Sequence, residues 1–296
     1  AASDESFYDQ ATSTWNSYNA ATKALVGRVN VHGYQYGGGR RDLLYTAVAG
    51  KRLWNSEYGE GDGTGVSLAS NLNLDFRWLH PTAWCYWQPF DSGGWGLIQS
   101  NPGDNWIGTA NPKYYVLAQY TRHIRPGMTI VDSGEGNTVA AYDAGARKLI
   151  IVTMNYGTAQ TITYNLTNFF NVAGPVRRWV TATGAGPKYA TYADTVVNNK
   201  FFAASFATNT IQTFEVQNVD LNAPLRITIS RRSGDGQILL SWPDWATTYR
   251  LYSTTNPAVP LSWSRVLQPP AVSNGNFNVI LSPTNRLPQF YRLSNL

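Results

Sequence analysis

The stretch Arg52-Leu53-Trp54-Asn55-Ser56-Glu57-Tyr58-Gly59 reads as a short strand that ends in a carboxylate and opens into a Gly/Asp/Glu loop over 59–65. On its N-terminal side lies a helical segment, about Arg41 to Val48, closed by Gly50. Before that come the strand Arg28 to Tyr34 and the Gly37-Gly38-Gly39 turn. Further back, Phe7, Ala11, Trp15, Tyr18 and Ala21 to Leu25 recur at helical spacing, which predicts one helix from Ser6 to Val26, stopped by Gly27. On the C-terminal side a helix over about Val66 to Leu79 precedes Pro81. The strand Thr82 to Gln88 follows, then a long Gly/Asn-rich loop and a helix from about Pro112 to Ile124. This alternation predicts a parallel sheet with crossover helices. Three strands are complete, and a fourth is read as ending at Ala1-Ala2. A closed eight-stranded barrel needs about 250 residues, so the expectation is a partial (β/α)8 (TIM) barrel, roughly its second half, over 1–127.

From Met128 onward the pattern changes. Thr138 to Tyr142, Leu149 to Asn155, Gln160 to Asn165, Val176 to Thr181 and Thr210 to Val216 alternate like sheet strands with frequent turns, which predicts a β-sandwich over 128–219. After a polar linker at 220–224, Ile238-Leu239-Leu240-Ser241-Trp242, Tyr249-Arg250-Leu251-Tyr252, Trp263 and Phe290-Tyr291-Arg292-Leu293 are spaced like strands of a small sandwich over 225–296. This module resembles the fibronectin-like β modules appended to secreted bacterial enzymes. The fold class is therefore α/β plus all-β.

Composition narrows the function. Charged residues make up 14% and aromatic residues another 14%, with 11 Trp and 18 Tyr, the balance of a packed chain rather than a disordered one. Indole rings suit flat carbohydrate faces, although most Trp serve cores. The formal net charge of +5 is scattered, densest at pairs such as Arg40-Arg41, so it reads as solvated surface and no nucleic acid partner is expected. Cys85 is the single cysteine and excludes an internal disulfide; in its apolar run it reads as an inert core thiol. No stretch approaches the roughly 18 apolar residues of a membrane span, so no membrane partner is expected. The opening Ala1-Ala2-Ser3 lacks both Met and a leader, which reads as processed or cut from something longer. Three dispersed His residues make no zinc pattern, no Gly-x-Ser-x-Gly elbow occurs, and neither metal nor cofactor is expected.

Three successive strand ends carry His32-Gly33-Tyr34-Gln35, Glu57-Tyr58 and Tyr86-Trp87-Gln88. In barrel enzymes chemistry sits at the C-terminal ends of strands, so these residues form a polar, aromatic rim suited to a sugar ring. Plainer readings stand beside this one: Glu57 as a salt-bridged surface acid, His32 as a hydrogen-bonded core residue, Trp87 as barrel core. Trp84 is expected on the helix-facing side of its strand.

Val31-His32-Gly33-Tyr34-Gln35, Leu53-Trp54-Asn55-Ser56-Glu57-Tyr58-Gly59-Glu60-Gly61-Asp62, Ala83-Trp84-Cys85-Tyr86-Trp87-Gln88-Pro89 and Asn111-Pro112-Lys113-Tyr114-Tyr115 together resemble glycoside hydrolase family 30, with the endo-β-1,6-galactanase branch closest. The resemblance covers roughly residues 1–218. It implies a retaining glycosidase acting by double displacement on a β-linked galactan or related poly- or oligosaccharide, secreted or periplasmic. Glu57 would be the nucleophile after the seventh barrel strand. His32 and Tyr34, after the sixth, would orient it or hold hydroxyls, and Trp87, after the eighth, would lie under the reacting ring. Tyr58, Gln88 and Trp95 would be subsite neighbours. The family's acid/base Glu lies at the end of the fourth strand, a part that this sequence does not include. Asp4, Glu5 and Glu60 are the acids that could take that role if the chain is self-contained. Otherwise a homodimer or a partner chain would complete the barrel. Two other classes remain open: a non-catalytic carbohydrate-binding protein, and one subunit of a split barrel.

Overall fold

A computed structural model describes residues 1–101, 103, 105–232, 234, 236–259, 262–282 and 288–295. Its chain forms two compact units, 1–220 and 221–296.

The first unit begins with four parallel strands in sequence order, β1 (Ala2–Glu5), β2 (Arg28–His32), β3 (Arg52–Tyr58) and β4 (Ala83–Tyr86). The first strand runs through Glu5 rather than ending at Ala2, which places Asp4 and Glu5 within it. No closed barrel occurs among the described residues. One face of the sheet is apolar at alternate positions. Val29 and Val31 of β2 and Leu53 of β3 are buried there against α1 (Tyr8–Ser17) and α3 (Arg41–Ala47). Helix α1 presents Tyr8, Ala11 and Trp15 to that layer, spaced three and four apart as one helical face requires.

The single helix expected over Ser6 to Val26 is two. Helix α1 stops at Ser17, and α2 (Ala20–Leu25) starts afresh because the Asn19 side chain accepts from Thr22 N at 2.9 Å and satisfies an orphan donor of the new first turn. The helix expected over Val66 to Leu79 is also divided. Its α-helical part, α4 (Val66–Leu74), passes into one π-helical turn over Asp75–Leu79 that ends at His80 in the left-handed region.

The long loop after β4 contains a small sheet of Phe90–Asp91, Ile98–Asn101 and Trp106–Ala110, and leads to α5 (Pro112–Thr121). A six-stranded antiparallel sheet follows, in the order Ala190–Thr195, Val176–Ala182, Thr210–Val216, Lys148–Asn155, Thr138–Asp143, Thr129–Val131. In Lys148–Asn155 every residue after Lys148 is buried. On one face Leu149, Ile151 and Phe214 pack against Tyr164 and Phe202 of a second, two-stranded sheet, Gln160–Asn165 with Phe201–Phe206, and the two sheets form a sandwich. Ile150 and Val152 pack on Leu68 and Leu72 of α4 and on Val116 and Tyr120 of α5. A strand buried on both faces reads as a continuous apolar run, which is how Leu149-Ile150-Ile151-Val152 is written. Each such side chain is worth about 1.5–3 kcal/mol of transfer free energy, so the helices and the sheet share one core.

The second unit has a sheet of Thr228–Arg231, Ile238–Pro243, Asn276–Leu281 and Ala271–Ser273, and another of Ser264–Arg265, Arg250–Thr254 and Phe290–Ser294. Leu240, Trp242, Ala246, Leu251 and Val279 fill the space between them.

Candidate active site

The C-terminal ends of β2 and β3 bring three polar side chains together. Glu57 Oε1 accepts a 2.6 Å hydrogen bond from the Tyr34 hydroxyl, and His32 Nδ1 lies 3.8 Å from the same oxygen. The other ring nitrogen of His32 is 3.4 Å from Asp4 Oδ1 on β1, and Ser56 Oγ donates to that Asp4 oxygen at 2.6 Å. The His32 imidazole therefore touches both Asp4 and Glu57. Its edge meets the Tyr34 ring with centroids 5.8 Å apart. The backbone fixes the pairing, because Gly33 N donates to the Glu57 carbonyl at 2.7 Å. Glu57 keeps 28% of its side chain accessible, enough to meet a ligand. Burial and the adjacent Glu57 carboxylate push the Tyr34 phenol well above its ordinary value, so Tyr34 stays a donor at neutral pH.

Two loops close on the end of β3. Trp87 and Trp95 are half exposed, and the Trp87 carbonyl and the Trp95 ring press on Gly59, two residues after Glu57. A Cβ at Gly59 would come within 2.4 Å of the Trp87 carbonyl oxygen and 3.2 Å of the Trp95 ring. Only the smallest residue lets the two loops approach this closely. The Trp87–Gln88 peptide bond is cis, and Gln88 Nε2 donates to Asp91 within its own loop at 3.2 Å.

Several sequence expectations are corrected. Tyr58 is fully buried against Trp84 and Tyr86 and offers no surface to a ligand; its register position after a bulge in β3 turns it toward the helices. Glu60 is buried in an ion pair with Lys113, whose Nζ donates to Glu60 Oε1 at 2.9 Å, to the Glu60 carbonyl at 2.7 Å and to the Tyr86 hydroxyl at 2.8 Å. Burial pushes the Glu60 carboxyl up and the Lys113 ammonium down, and each opposes the other's shift. Glu5 accepts from Thr14 Oγ1 on α1 at 2.7 Å, on the helix side of the sheet. Cys85, expected in a core, is exposed on the face of β4 away from the helices. Of the three acids considered, Asp4 alone joins the His32–Glu57 group. No set of His, Cys, Asp or Glu suited to a metal occurs among the described residues.

Sequence reasoning passed over the buried support beneath the site. Asp75 is fully buried and accepts from Tyr8 (2.8 Å), Arg41 Nε (2.6 Å), Asn55 (2.6 Å), Asn71 (3.2 Å) and Trp84 (2.9 Å). Arg41 also donates to the Gly38 carbonyl at 2.8 Å and to the Tyr36 carbonyl, so this network holds the loop that carries Tyr34. The signal in the sequence was Asn71 and Asp75, four apart and so on one side of the stretch expected to be helical.

Comparison with known proteins bears on this geometry. No protein-family model matches the chain. The chain is 55% identical over 227 residues to an endo-β-1,6-galactanase from Hypocrea rufa, a match that covers 75% of this chain and 47% of that protein. It superposes on a family 30 endoxylanase from Clostridium papyrosolvens with a TM-score of 0.54 and 26% identity, over 67% of this chain and 51% of that one. A family 30 subfamily 8 xylanase from Clostridium acetobutylicum gives a TM-score of 0.55 and 26% identity, over 69% and 51%. The chain is related to glycoside hydrolase family 30. It spans about half the length of the curated galactanase it matches. The catalytic domain of a family 30 xylanase from Talaromyces cellulolyticus shares the fold with a TM-score of 0.58 at 19% identity, over 73% and 51%.

Proposed function

We propose that the chain supplies the second half of a (β/α)8 barrel, with its flanking sandwich, to a retaining glycosidase that cleaves β-linked galactan or a closely related β-glycan. The observation that carries this reading is the Glu57 carboxylate at the end of β3, held at 2.6 Å by Tyr34 beside His32, in a chain 55% identical to an endo-β-1,6-galactanase over its matched residues.

Glu57 attacks the anomeric carbon as the bond to the leaving oxygen breaks, and a second carboxylic acid gives that oxygen its proton. The resulting glycosyl ester is hydrolysed by water, whose proton returns to the same acid. Tyr34 and His32 fix the attacking oxygen, which is where orientation lowers the barrier. Trp87 and Trp95 offer ring faces to the sugar. Retention requires the two carboxyl groups about 5 Å apart. Glu5 and Glu60 are held elsewhere, which leaves Asp4 or a carboxyl from outside the four strands. The second source is favoured by the exposed face of the sheet, where Cys85 lies open and the Arg28 guanidinium lies over the partly exposed Trp54 ring at 3.7 Å. A further segment or a partner chain closing the barrel would cover this face. A polymeric substrate of this kind places the enzyme outside the cytoplasm.

Turnover on aryl β-glycosides and β-1,6-linked galactooligosaccharides, with Glu57→Gln in parallel, tests the proposal. The expected result is loss of nearly all turnover in the variant. Equal rates for the two proteins would sink Glu57 as nucleophile. A parent chain that binds the oligosaccharides but never cleaves them would favour a carbohydrate-binding role.

A further inference from the structure

Beside Tyr36, in the loop that also carries Tyr34, lies a cleft of about 680 Å³, within the range of small-molecule sites. It runs between the first turns of α4 and the sandwich, and both walls belong to the 1–220 unit. Tyr36, Asp62, Ser67, Ser70, Asn137 and Tyr156 line it. The cleft adjoins the candidate active site through aromatic contacts: Tyr36 meets Tyr34 with ring centroids 6.4 Å apart, and Tyr34 holds Glu57.

The chemistry of the lining selects the ligand. It contains no Lys, Arg or His among the described residues, so nothing there would draw an anionic group. Its two carboxylates are already engaged. Glu60 is paired with Lys113, and Asp62 accepts from the backbone of Thr64 at 2.8 Å and of Ser67 at 3.0 Å. Both Asp62 oxygens are thus taken by backbone donors, and no second unpaired carboxylate lines the cleft among the described residues to help coordinate a cation. What remains is an exposed tyrosine ring with hydroxyl and amide groups. The Tyr36 hydroxyl and the Asn137 side-chain amide are exposed and make no hydrogen bond within the described protein. An aromatic face beside unengaged donors and acceptors suits a neutral, hydroxyl-rich ligand.

We propose that this cleft is a second carbohydrate site, which holds a neutral segment of the same β-linked glycan that Glu57 attacks. The inference rests on the glycosidase reading for its substrate class. The cleft would grip a longer chain or a branch that reaches past the Tyr34 loop, so substrates of a few sugars would not use it.

Calorimetric titration of the full chain carrying Glu57→Gln with β-1,6-linked galactooligosaccharides of increasing length tests it. Asn137→Trp, which fills the cleft from an exposed turn, and Asn137→Ala, which only removes the amide, are compared in that background. The expected result is affinity that rises with length and is weakened about tenfold or more by the tryptophan, with a smaller loss for the alanine. Turnover of a small aryl β-galactoside by the Glu57 chain should be the same with and without Asn137→Trp. Length-independent binding, equal affinity in all three proteins, or no binding would overturn the cleft proposal. If Asn137-dependent binding is seen in a chain that turns over no glycoside, the cleft stands and the catalytic reading falls.

Discussion

The Tyr34 hydroxyl donates to Glu57 Oε1 at 2.6 Å across two neighbouring parallel strands. A hydrogen bond to a charged group is worth about 1.5–3 kcal/mol. If the bond orients the attacking oxygen, Tyr34→Phe should lower kcat on aryl β-glycosides by about 10- to 100-fold while the thermal midpoint stays nearly unchanged. An unaltered kcat would remove Tyr34 from the machinery.

His32 touches both Asp4 and Glu57, so it can act on the nucleophile only through position or charge. His32→Ala should reduce kcat, and Asp4→Asn should reduce it less if Asp4 acts through His32. A larger loss for Asp4→Asn, confined to substrates with poor leaving groups, would mark Asp4 as the acid itself.

Asp75 is the buried anion of a five-donor network. Removing it leaves the Arg41 guanidinium buried without its partner, which costs about 3–5 kcal/mol. Asp75→Ala should lower the urea midpoint of the 1–220 unit accordingly. Little change there would mean that water or the Arg41 carbonyl contacts replace the carboxylate.

Lys113 and Glu60 form a buried pair beneath the loops that carry Trp95 and Gly59. Lys113→Met alone should destabilise strongly because it strands the Glu60 carboxylate. Lys113→Met with Glu60→Leu should recover much of that loss, since a buried pair and its apolar replacement are often of similar stability. Thermal midpoints of the two singles and the double decide this.

Glu215 is held below its ordinary carboxyl value of 4.5, first by the hydrogen bond from His123 at 2.9 Å and then, against an opposing effect of burial, by the charge of Lys148. With its proton on Nδ1, His123 accepts from the Tyr189 hydroxyl through Nε2 at 2.7 Å. The folded-state pKa lies below the unfolded one. The stabilisation is therefore complete above about 4.5 and is lost as pH falls through the lower folded value. Urea midpoints measured through this acid range should fall less steeply for Glu215→Gln than for the parent.

The sequence by itself determined the order of the parallel strands, the switch to antiparallel sheets after Met128, and the strand-end positions of His32, Tyr34 and Glu57. These follow from local periodicity and from turn chemistry, which neighbouring residues encode. It could not show that the Ser6 to Val26 helix breaks at Asn19, since capping competes with helix continuation by about 1 kcal/mol, less than the pattern resolves. It also could not separate the acids. Asp4, Glu5 and Glu60 are alike in one dimension, and only the fold sends Glu5 to Thr14, Glu60 to Lys113 and Asp4 to His32. Tyr58 shows the same principle. Adjacent residues on a regular strand face opposite sides, but the bulge between Asn55 and Tyr58 resets that alternation and buries the ring. Tertiary structure decided these cases because burial and pairing depend on residues far away in sequence, as when Asp75 gathers Tyr8, Arg41 and Asn55 from three different elements.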